Sequence, residues 1–261
     1  MIPVIFSTGS LHTFGLARIF RWVAEAGYDG VEVMMDDRWD THQAEYIELL
    51  SREHGLPVIA LHPPLGRGLW GVDDDETLVR AASLAARVGA RVVVAHPPAG
   101  RDLESWRDGV LERARSEGVC VAVENLIPQI ERRFPFGSRR VGCYLPEHLR
   151  DIGGVTLDTS HCAASGVDIL QALSALTGQL RHVHLSDSRL EGGDEHRLPG
   201  QGKLPLRRFL RELGSTGYGG AVSLELRPRA LGAPEEEKIR YRMRATLEYV
   251  REGMEGVWLR R

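Results

Sequence analysis

Side chains of the types that bind divalent metals lie where short apolar runs of this sequence end. Five are histidines and four are carboxylates: His62, His96, Glu124, Asp158, His161, His184, Asp194, His196 and Glu225. Imidazole nitrogen combined with carboxylate oxygen, without cysteine, suits Zn, Mn, Co or Mg. Carboxylates gathered in a low-dielectric site would repel one another without a cation. The set therefore predicts a divalent metal site, and the competing interpretation is a ring of salt bridges to arginines.

The elements that carry these residues are short runs rich in Val, Ile and Leu, with the pattern of buried strands. They span residues 4–7, 30–34, 57–62, 91–96, 119–125, 154–158, 180–185 and 221–226. The stretches between them have helical spacing of apolar residues, as at Leu16, Ile19, Phe20 and Val23, and each gap is long enough for a helix. The segment 234–253 has the acidic start and Arg-rich continuation of a final helix.

Apolar strands that alternate with helices predict parallel pairing in a sheet covered on both faces. Eight such units in 261 residues match a single (β/α)8 TIM barrel domain over residues 1–261. The alternative is an open doubly wound sheet, but residues 7–15, STGSLHTFG, lack the Gly-rich phosphate loop of that fold. In a barrel the carboxyl ends of the strands converge on one mouth, so we expect the nine residues to face one another.

Composition restricts the cellular setting. The chain is 43% hydrophobic and 26% charged, with a net charge of -3, which does not suggest general polyanion binding. No apolar run approaches the roughly 20 residues of a membrane helix, and the N-terminus enters a strand directly. Three cysteines without a CxxC pairing indicate a reducing compartment. We expect a cytoplasmic protein with no membrane partner.

Several motifs at the strand ends are similar to those of a known group. They are VAVEN (121–125), TLDTSH (156–161), HVHLSD (182–187), DEHRLPGQG (194–202) and SLEL (223–226). Together they resemble the xylose isomerase-like barrel superfamily, which contains sugar and sugar-phosphate isomerases and epimerases and also endonuclease IV type nucleases. One departure lies inside the loop motif, where Gln201 stands in place of the Glu of many relatives.

The epimerase branch of that resemblance implies one divalent metal held by Glu124, Asp158, His184 and Glu225. Glu124 and Glu225 would then exchange a proton beside the substrate carbonyl, while the metal stabilises the developing enediolate. His161 would bind substrate.

The endonuclease IV branch implies three zinc ions held by all nine residues, so the resemblance allows one to three ions per chain. A metal cluster suits phosphodiester hydrolysis. The acidic net charge and the short βα connections oppose DNA binding. The best nucleic-acid candidate is 131–140, where Arg132, Arg133, Arg139 and Arg140 flank Phe134 and Phe136. A solvated Arg-rich lid is the simpler interpretation of that segment.

Other residues are candidates for contact with a small anionic or sugar substrate. The basic ones are Arg189, Arg197, Lys203, Arg227 and Arg229, and Trp70 is a candidate wall for an apolar sugar face. Glu32 is a candidate for either substrate contact or a structural salt bridge. We therefore predict a metal-dependent isomerase or epimerase of a small sugar or sugar phosphate, with an abasic-site nuclease as the main alternative and a non-catalytic sugar or metal-binding barrel as a third. Barrels of this group often form homo-oligomers, but no segment identifies an interface.

Overall fold

The protein is described here by a computed structural model that covers residues 1–64, 66, 68–98, 102–133 and 137–255, without the side chain of Arg133. Phe134 and Phe136 of the predicted lid lie outside the described residues. The described strands are β1 (Val4–Ser7), β2 (Val31–Met34), β3 (Val58–His62), β4 (Val92–Ala95), β5 (Cys120–Glu124), β6 (Gln129–Arg133), β7 (Gly137–Val141), β8 (Gly154–Asp158), β9 (Leu180–Leu185) and β10 (Ala221–Leu224).

Eight of these strands close into a parallel barrel in the order β1-β10-β9-β8-β5-β4-β3-β2. Each barrel strand coincides with one of the apolar runs of the sequence, shortened by up to two residues at an end. The predicted (β/α)8 barrel is therefore confirmed. The strands are apolar throughout because one face packs inside the barrel while the other is covered by helices.

Helices fill most of the connections on the outside of the barrel. They are α1 (Leu16–Ala26), α2 (Ala44–His54), α3 (Asp74–Val88), α4 (Leu103–Trp106), α5 (Glu112–Arg115), α6 (Thr159–Ser165), α7 (Ile169–Leu176), α8 (Leu206–Ser215), α9 (Pro228–Leu231) and α10 (Glu236–Glu255), with a π-helical turn at Arg107–Leu111 and 3-10 turns at Thr8–Leu11, Trp39–Thr41, Leu69–Gly71 and Pro146–Leu149. Helix α1 buries the predicted Leu16, Ile19, Phe20 and Val23, and Gly27 caps its carboxyl end in a left-handed conformation with φ of 88°. The predicted final helix is α10.

The connection between β5 and β8 departs from the predicted alternation. Its described residues form an exposed antiparallel hairpin, β6–β7, and the 3-10 turn at Pro146–Leu149, with no α-helix among them. Pro128, Gly137, Gly142 and Pro146 interrupt this segment, and proline and glycine disfavour a continuous helix. The described parts of the Arg-rich segment, residues 131–133 and 137–140, thus lie on the two strands of a hairpin, where Arg132, Arg139 and Arg140 are exposed.

Strand register determines which side chains share the barrel interior. Asp158 of β8 pairs with His184 of β9, and His184 pairs with Ser223 of β10, so their side chains point to the same side. Further down, Ala60, Val92 and Ala122 pack together in an apolar layer. No helix of the described residues is long and apolar enough to cross a membrane.

Candidate metal centre and active site

Four of the predicted ligands meet at the carboxyl end of the barrel and form what we call the four-residue centre: Glu124, Asp158, His184 and Glu225. One ligand atom from each of them lies within 4.8 Å of all the others. Nδ1 of His184 is central, at 2.7 Å from Oε1 of Glu124, 2.9 Å from Oε2 of Glu225 and 3.7 Å from Oδ2 of Asp158. Three oxygens and one nitrogen at this spacing make a donor set that suits a divalent cation.

Burial makes the charges of this centre strongly interdependent. Burial alone would raise the pKa of both glutamates, but the adjacent His184 holds the pKa of Glu124 well below its ordinary value and lowers that of Glu225 to about 2. Burial raises the pKa of Asp158, and the neighbouring Glu124 and Glu225 add to that effect. Burial would lower the pKa of His184, yet Glu32, Glu225 and Glu124 raise it well above normal. The charges of the centre therefore favour a positive charge at its middle, which the proton of His184 supplies in the absence of a metal.

The fit of a metal rests on Asp158 in particular. Its Oδ1 accepts a hydrogen bond from the backbone N–H of His161, whereas its buried Oδ2 accepts none from the described residues. A buried carboxylate oxygen needs a partner, because its desolvation is otherwise uncompensated. Oδ2 points to the same place as the Glu124, His184 and Glu225 donor atoms, so the residues present fit a bound divalent ion.

A second group lies beside the four-residue centre and shares Glu124. Nε2 of His62 is 2.9 Å from Nε2 of His96, and Nε2 of His96 is 2.9 Å from Oε2 of Glu124. Burial would lower the pKa of His62, but Glu32 and Glu124 raise it; burial lowers the pKa of His96. Two imidazole nitrogens facing each other beside a carboxylate are arranged for a shared proton or a metal ion.

A third group comprises His161, Asp194 and His196. Nε2 of His196 lies 2.8 Å from Oδ1 of Asp194, and Nε2 of His161 lies 3.9 Å from the same oxygen. Burial opposes the charge of His196, but Asp158 and Asp194 raise its pKa to about 10. Burial would raise the pKa of Asp194, and His196 lowers it to about 2. The structure thus brings all nine predicted ligand residues to one mouth.

The loop after β9 carries Asp194 and His196, and two acidic residues hold it in shape. Asp187 accepts hydrogen bonds from the backbone N–H groups of Gly200, Gly202 and Leu204. Glu195 accepts hydrogen bonds from the hydroxyl of Ser188 and the guanidinium of Arg197. These hydrogen bonds fix the shape of the loop, which is how a loop rather than a strand end presents Asp194 and His196 to the centre.

The cavity above the four-residue centre has a volume of about 480 Å³. Seven of the nine predicted ligand residues line it: His62, His96, Glu124, His161, Asp194, His196 and Glu225. Met34, Met35, Pro63, Pro64 and Leu126 supply an apolar wall, and His12 and Asp36 complete the lining. The sequence analysis missed these last seven residues; their position at or after the ends of β1, β2, β3 and β5 was the signal that could have found them.

The structure does not bring the predicted basic substrate contacts into this cavity. Arg197 binds Glu195, and the exposed Arg227 donates to the backbone oxygen of Asp194 at 2.8 Å and lies 3.2 Å from its Oδ2. Arg189, Lys203 and Arg229 are exposed elsewhere on the surface. Trp70 packs edge-on against His42, with ring centroids 5.8 Å apart, and does not line the cavity either. Among the described lining residues there is no arginine or lysine.

Glu32 and His182 form a buried polar layer beneath the four-residue centre. Oε2 of Glu32 lies 2.6 Å from Nε2 of His182 and 3.0 Å from Nε2 of His184. Neither Glu32 nor His182 lines the cavity. Sequence reasoning weighed Glu32 as a substrate contact or a salt bridge to a loop, but its partners are histidines of β9 inside the barrel. It passed over His182, which the two-residue spacing from His184 places on the same face.

These features define a (β/α)8 barrel whose carboxyl-end mouth gathers residues that could hold a divalent metal ion. Residues 20–249 match the family model described as "Xylose isomerase-like TIM barrel". The chain belongs to this family.

Two curated relatives align along most of their length. An uncharacterized protein of Mycobacterium leprae is 30% identical, over 91% of this chain and 93% of the relative. A ketose 3-epimerase of Arthrobacter globiformis is 26% identical, over 87% of this chain and 83% of the relative.

Solved structures of low sequence identity share the fold. A D-tagatose 3-epimerase-like protein superposes with a TM-score of 0.77 at 20% identity, covering 99% of both chains. An AP endonuclease, family 2, from Brucella melitensis superposes with a TM-score of 0.69 at 20% identity, covering 95% of this chain and 99% of the other.

Proposed function

We propose that this protein is a divalent-metal-dependent epimerase or isomerase of a small, uncharged sugar. One observation carries the proposal: the carboxylates of Glu124 and Glu225 both line the cavity, and both lie within hydrogen-bonding distance of the same nitrogen of His184. Two carboxylates that face one substrate cavity can remove and return a proton there. The relationship to the ketose 3-epimerase of Arthrobacter globiformis supports this reaction class.

Glu124, Asp158, His184 and Glu225 would hold the metal. A bound divalent ion would polarise the substrate carbonyl and offset the negative charge that develops when the neighbouring carbon loses its proton. The identity of the ion is left among Zn, Mn, Co and Mg, because carboxylate and imidazole donors suit all four.

Glu124 and Glu225 would move the proton. Their lowered pKa values keep a carboxylate ionised at neutral pH, so it can accept the proton from the carbon beside the carbonyl. The other glutamate, which is also ionised in the free protein, would take up a proton from solvent in the substrate complex. Delivery of that proton to the opposite face gives the epimer, and delivery to the neighbouring carbon gives the isomer. In either case one proton enters and one leaves the substrate carbon skeleton, so the reaction is balanced without a co-reactant.

The cavity favours an uncharged sugar over a sugar phosphate. Its volume of about 480 Å³ is in the range of small-molecule sites. Recognition of a phosphate normally uses arginine, lysine or a helix N-terminus, and the described lining has neither basic side chain. His12 and Asp36 can hydrogen-bond hydroxyl groups, while the methionine and proline wall fits the apolar C–H faces of a sugar. His161 is a further proposed substrate contact, since it lines the same cavity.

The test is proton exchange with solvent. Protein loaded separately with Mn, Co, Zn or Mg is incubated with a panel of ketoses and their phosphates in D2O, and deuterium at the carbon beside the carbonyl is followed by NMR. We expect incorporation into an uncharged ketose by wild type and by the control Glu237→Gln, an exposed carboxylate on α10. Glu124→Gln and Glu225→Gln should lose it. Equal incorporation by all four proteins would refute the proposed role of the two glutamates.

A second candidate function is phosphodiester hydrolysis at abasic DNA. The facing Nε2 atoms of His62 and His96 beside Glu124 favour it, because a one-metal epimerase has no need of a second ligand group. Cleavage of abasic-site DNA that is lost in His62→Ala and His96→Ala, with deuterium exchange absent, would establish this function in place of the first. The acidic net charge of the chain opposes it.

A further inference from the structure

Glu32 is a buried carboxylate that makes contact with the four-residue centre from below. It lies on β2, directly level with Ser7 of β1, and is fully buried together with His182 and His184. A carboxylate can only accept hydrogen bonds, so the two imidazole Nε2 atoms at 2.6 and 3.0 Å must carry the hydrogens. Glu32 therefore determines which nitrogen of each ring is protonated.

The consequence for His184 follows from its second nitrogen. When Nε2–H of a neutral His184 is donated to Glu32, Nδ1 bears a lone pair. That lone pair points at oxygens of Glu124, Glu225 and Asp158, which themselves carry negative charge. Such an arrangement is favourable only with a cation among the four atoms. The hydrogen bond to Glu32 thus prepares His184 to be a metal ligand through Nδ1 and fixes the direction of the ring.

We propose that Glu32 is a positioning residue that sets the tautomer and orientation of His184 for metal binding, with His182 as the second donor that holds Glu32 in place. It acts through His184, since Glu32 does not line the substrate cavity. Carboxylates that hydrogen-bond to metal-ligating histidines raise metal affinity in this way. The inference rests on the metal site of the proposed function, but not on the reaction or the substrate.

The main experiment measures metal affinity in the absence of substrate. Zinc and manganese dissociation constants are determined by competition with a chelator for wild type, Glu32→Gln, His182→Gln and the exposed control Glu237→Gln. We expect Glu32→Gln to weaken binding roughly 10- to 100-fold. Both rings contact the same oxygen of Glu32, so the Gln carbonyl oxygen can still accept from both. It carries no charge, however, and a flipped amide presents NH2 to the rings instead, so the tautomer of His184 is no longer fixed. His182→Gln still offers an N–H to Glu32, so its affinity should stay within about threefold of wild type, as should that of the control.

A spectroscopic measurement on the wild type covers the case in which Glu32→Gln does not fold. In the zinc-loaded protein, 15N NMR of the imidazole rings should show His184 protonated at Nε2 and bound to zinc through Nδ1. His182→Gln serves to assign the neighbouring ring. A His184 ring protonated at Nδ1, or bound through Nε2, would overturn the inference.

The outcomes separate this inference from the proposed function. Wild type that binds no divalent metal would refute the metal site itself, and with it the role of Glu32. Wild type and Glu32→Gln that bind zinc with affinities within twofold would refute only the positioning role. Loss of affinity in Glu32→Gln together with the expected ring spectrum would establish it.

Discussion

The barrel interior changes character within two residues along the same strand. On β3 and β5, Ala60 and Ala122 pack with Val92 in the apolar layer. Two residues further along, His62 and Glu124 line the cavity at the mouth of the barrel. On these strands the lower layer is built from small side chains that fill space, whereas on β2 the buried Glu32 lies level with Ala60. The upper layer gathers buried carboxylates and imidazoles whose desolvation opposes folding.

This contrast indicates that stability and ion binding depend on different residues of the same barrel. Small-residue packing contributes to stability and needs no partner beyond its neighbours. The four-residue centre is retained although like charges meet there, which is typical of functional sites rather than of packing. Changes at Ala60, Val92 and Ala122 should therefore affect stability and leave ion binding intact, whereas changes at the ligand residues should weaken ion binding.

The largest expected effect is on catalysis. Glu225→Gln should lower kcat of the proposed proton exchange by about 10²- to 10⁴-fold, the usual contribution of a general acid or base. The lowered pKa of Glu225 means that its ionised form is stabilised in the folded apo protein, so the change should also lower the apo Tm at neutral pH. Kinetics of the metal-loaded protein and thermal unfolding of the apo protein check both parts. An unchanged kcat would contradict the proposed role of Glu225 in proton transfer.

Metal removal should have the next largest effect, and its size should depend on pH. At a metal concentration of 100 times Kd, stabilisation is about 2.7 kcal/mol, or roughly 5–10 °C in Tm. The pKa of His196 is raised to about 10 in the folded apo protein. A raised folded pKa contributes stability that is fully present below the unfolded value near 6.5 and is lost as pH rises toward 10.

The apo Tm should therefore fall between pH 6.5 and 9, while the increase in Tm caused by metal should grow, because metal binding displaces protons from the site. Calorimetry of chelator-treated and metal-loaded protein over this pH range measures both slopes. An apo Tm that rises across the range would contradict the electrostatic description of the mouth.

A smaller effect is expected in the apolar layer. Ala122→Leu should destabilise the fold by about 1–3 kcal/mol, because Ala122 is fully buried and the added atoms cannot be accommodated without shifts. Zinc affinity should stay within about threefold of wild type. Denaturant unfolding and chelator competition measure the two quantities. If zinc affinity falls as much as stability, the two layers are not independent.

The smallest effects are expected at basic residues outside the cavity. Lys203→Ala and Arg189→Ala should change kcat/KM for an uncharged ketose by less than about twofold, since exposed residues away from a site rarely contribute more. Steady-state kinetics on the ketose and on its phosphate check this. If wild type acts on the phosphate and the variants have a markedly lower kcat/KM for it, Lys203 and Arg189 would be identified as substrate contacts.

The sequence was sufficient to predict much of the fold and the composition of the site. Apolar strands that alternate with helical periodicity report on local burial, and all eight barrel strands appear where that pattern lies. Residues at the carboxyl ends of those strands converge in any closed barrel, so the nine ligand types could be grouped without coordinates. The prediction of a helix between β5 and β8 was wrong for the described residues, because a gap of sufficient length does not by itself specify a helix.

The sequence could not predict the side-chain contacts that determine the chemistry of the site. Glu32 and His182 are 150 positions apart, and only barrel closure and register bring their side chains to 2.6 Å. Likewise, Arg197 and Arg227 have the right residue type for an anionic substrate, yet loop geometry directs them to Glu195 and Asp194. Periodicity along the chain determines which face a side chain occupies, whereas the partner it meets depends on the closure of the whole barrel. The sequence alone therefore determined the barrel and its ring of ligand types, and the tertiary structure decided which atoms pair within that ring.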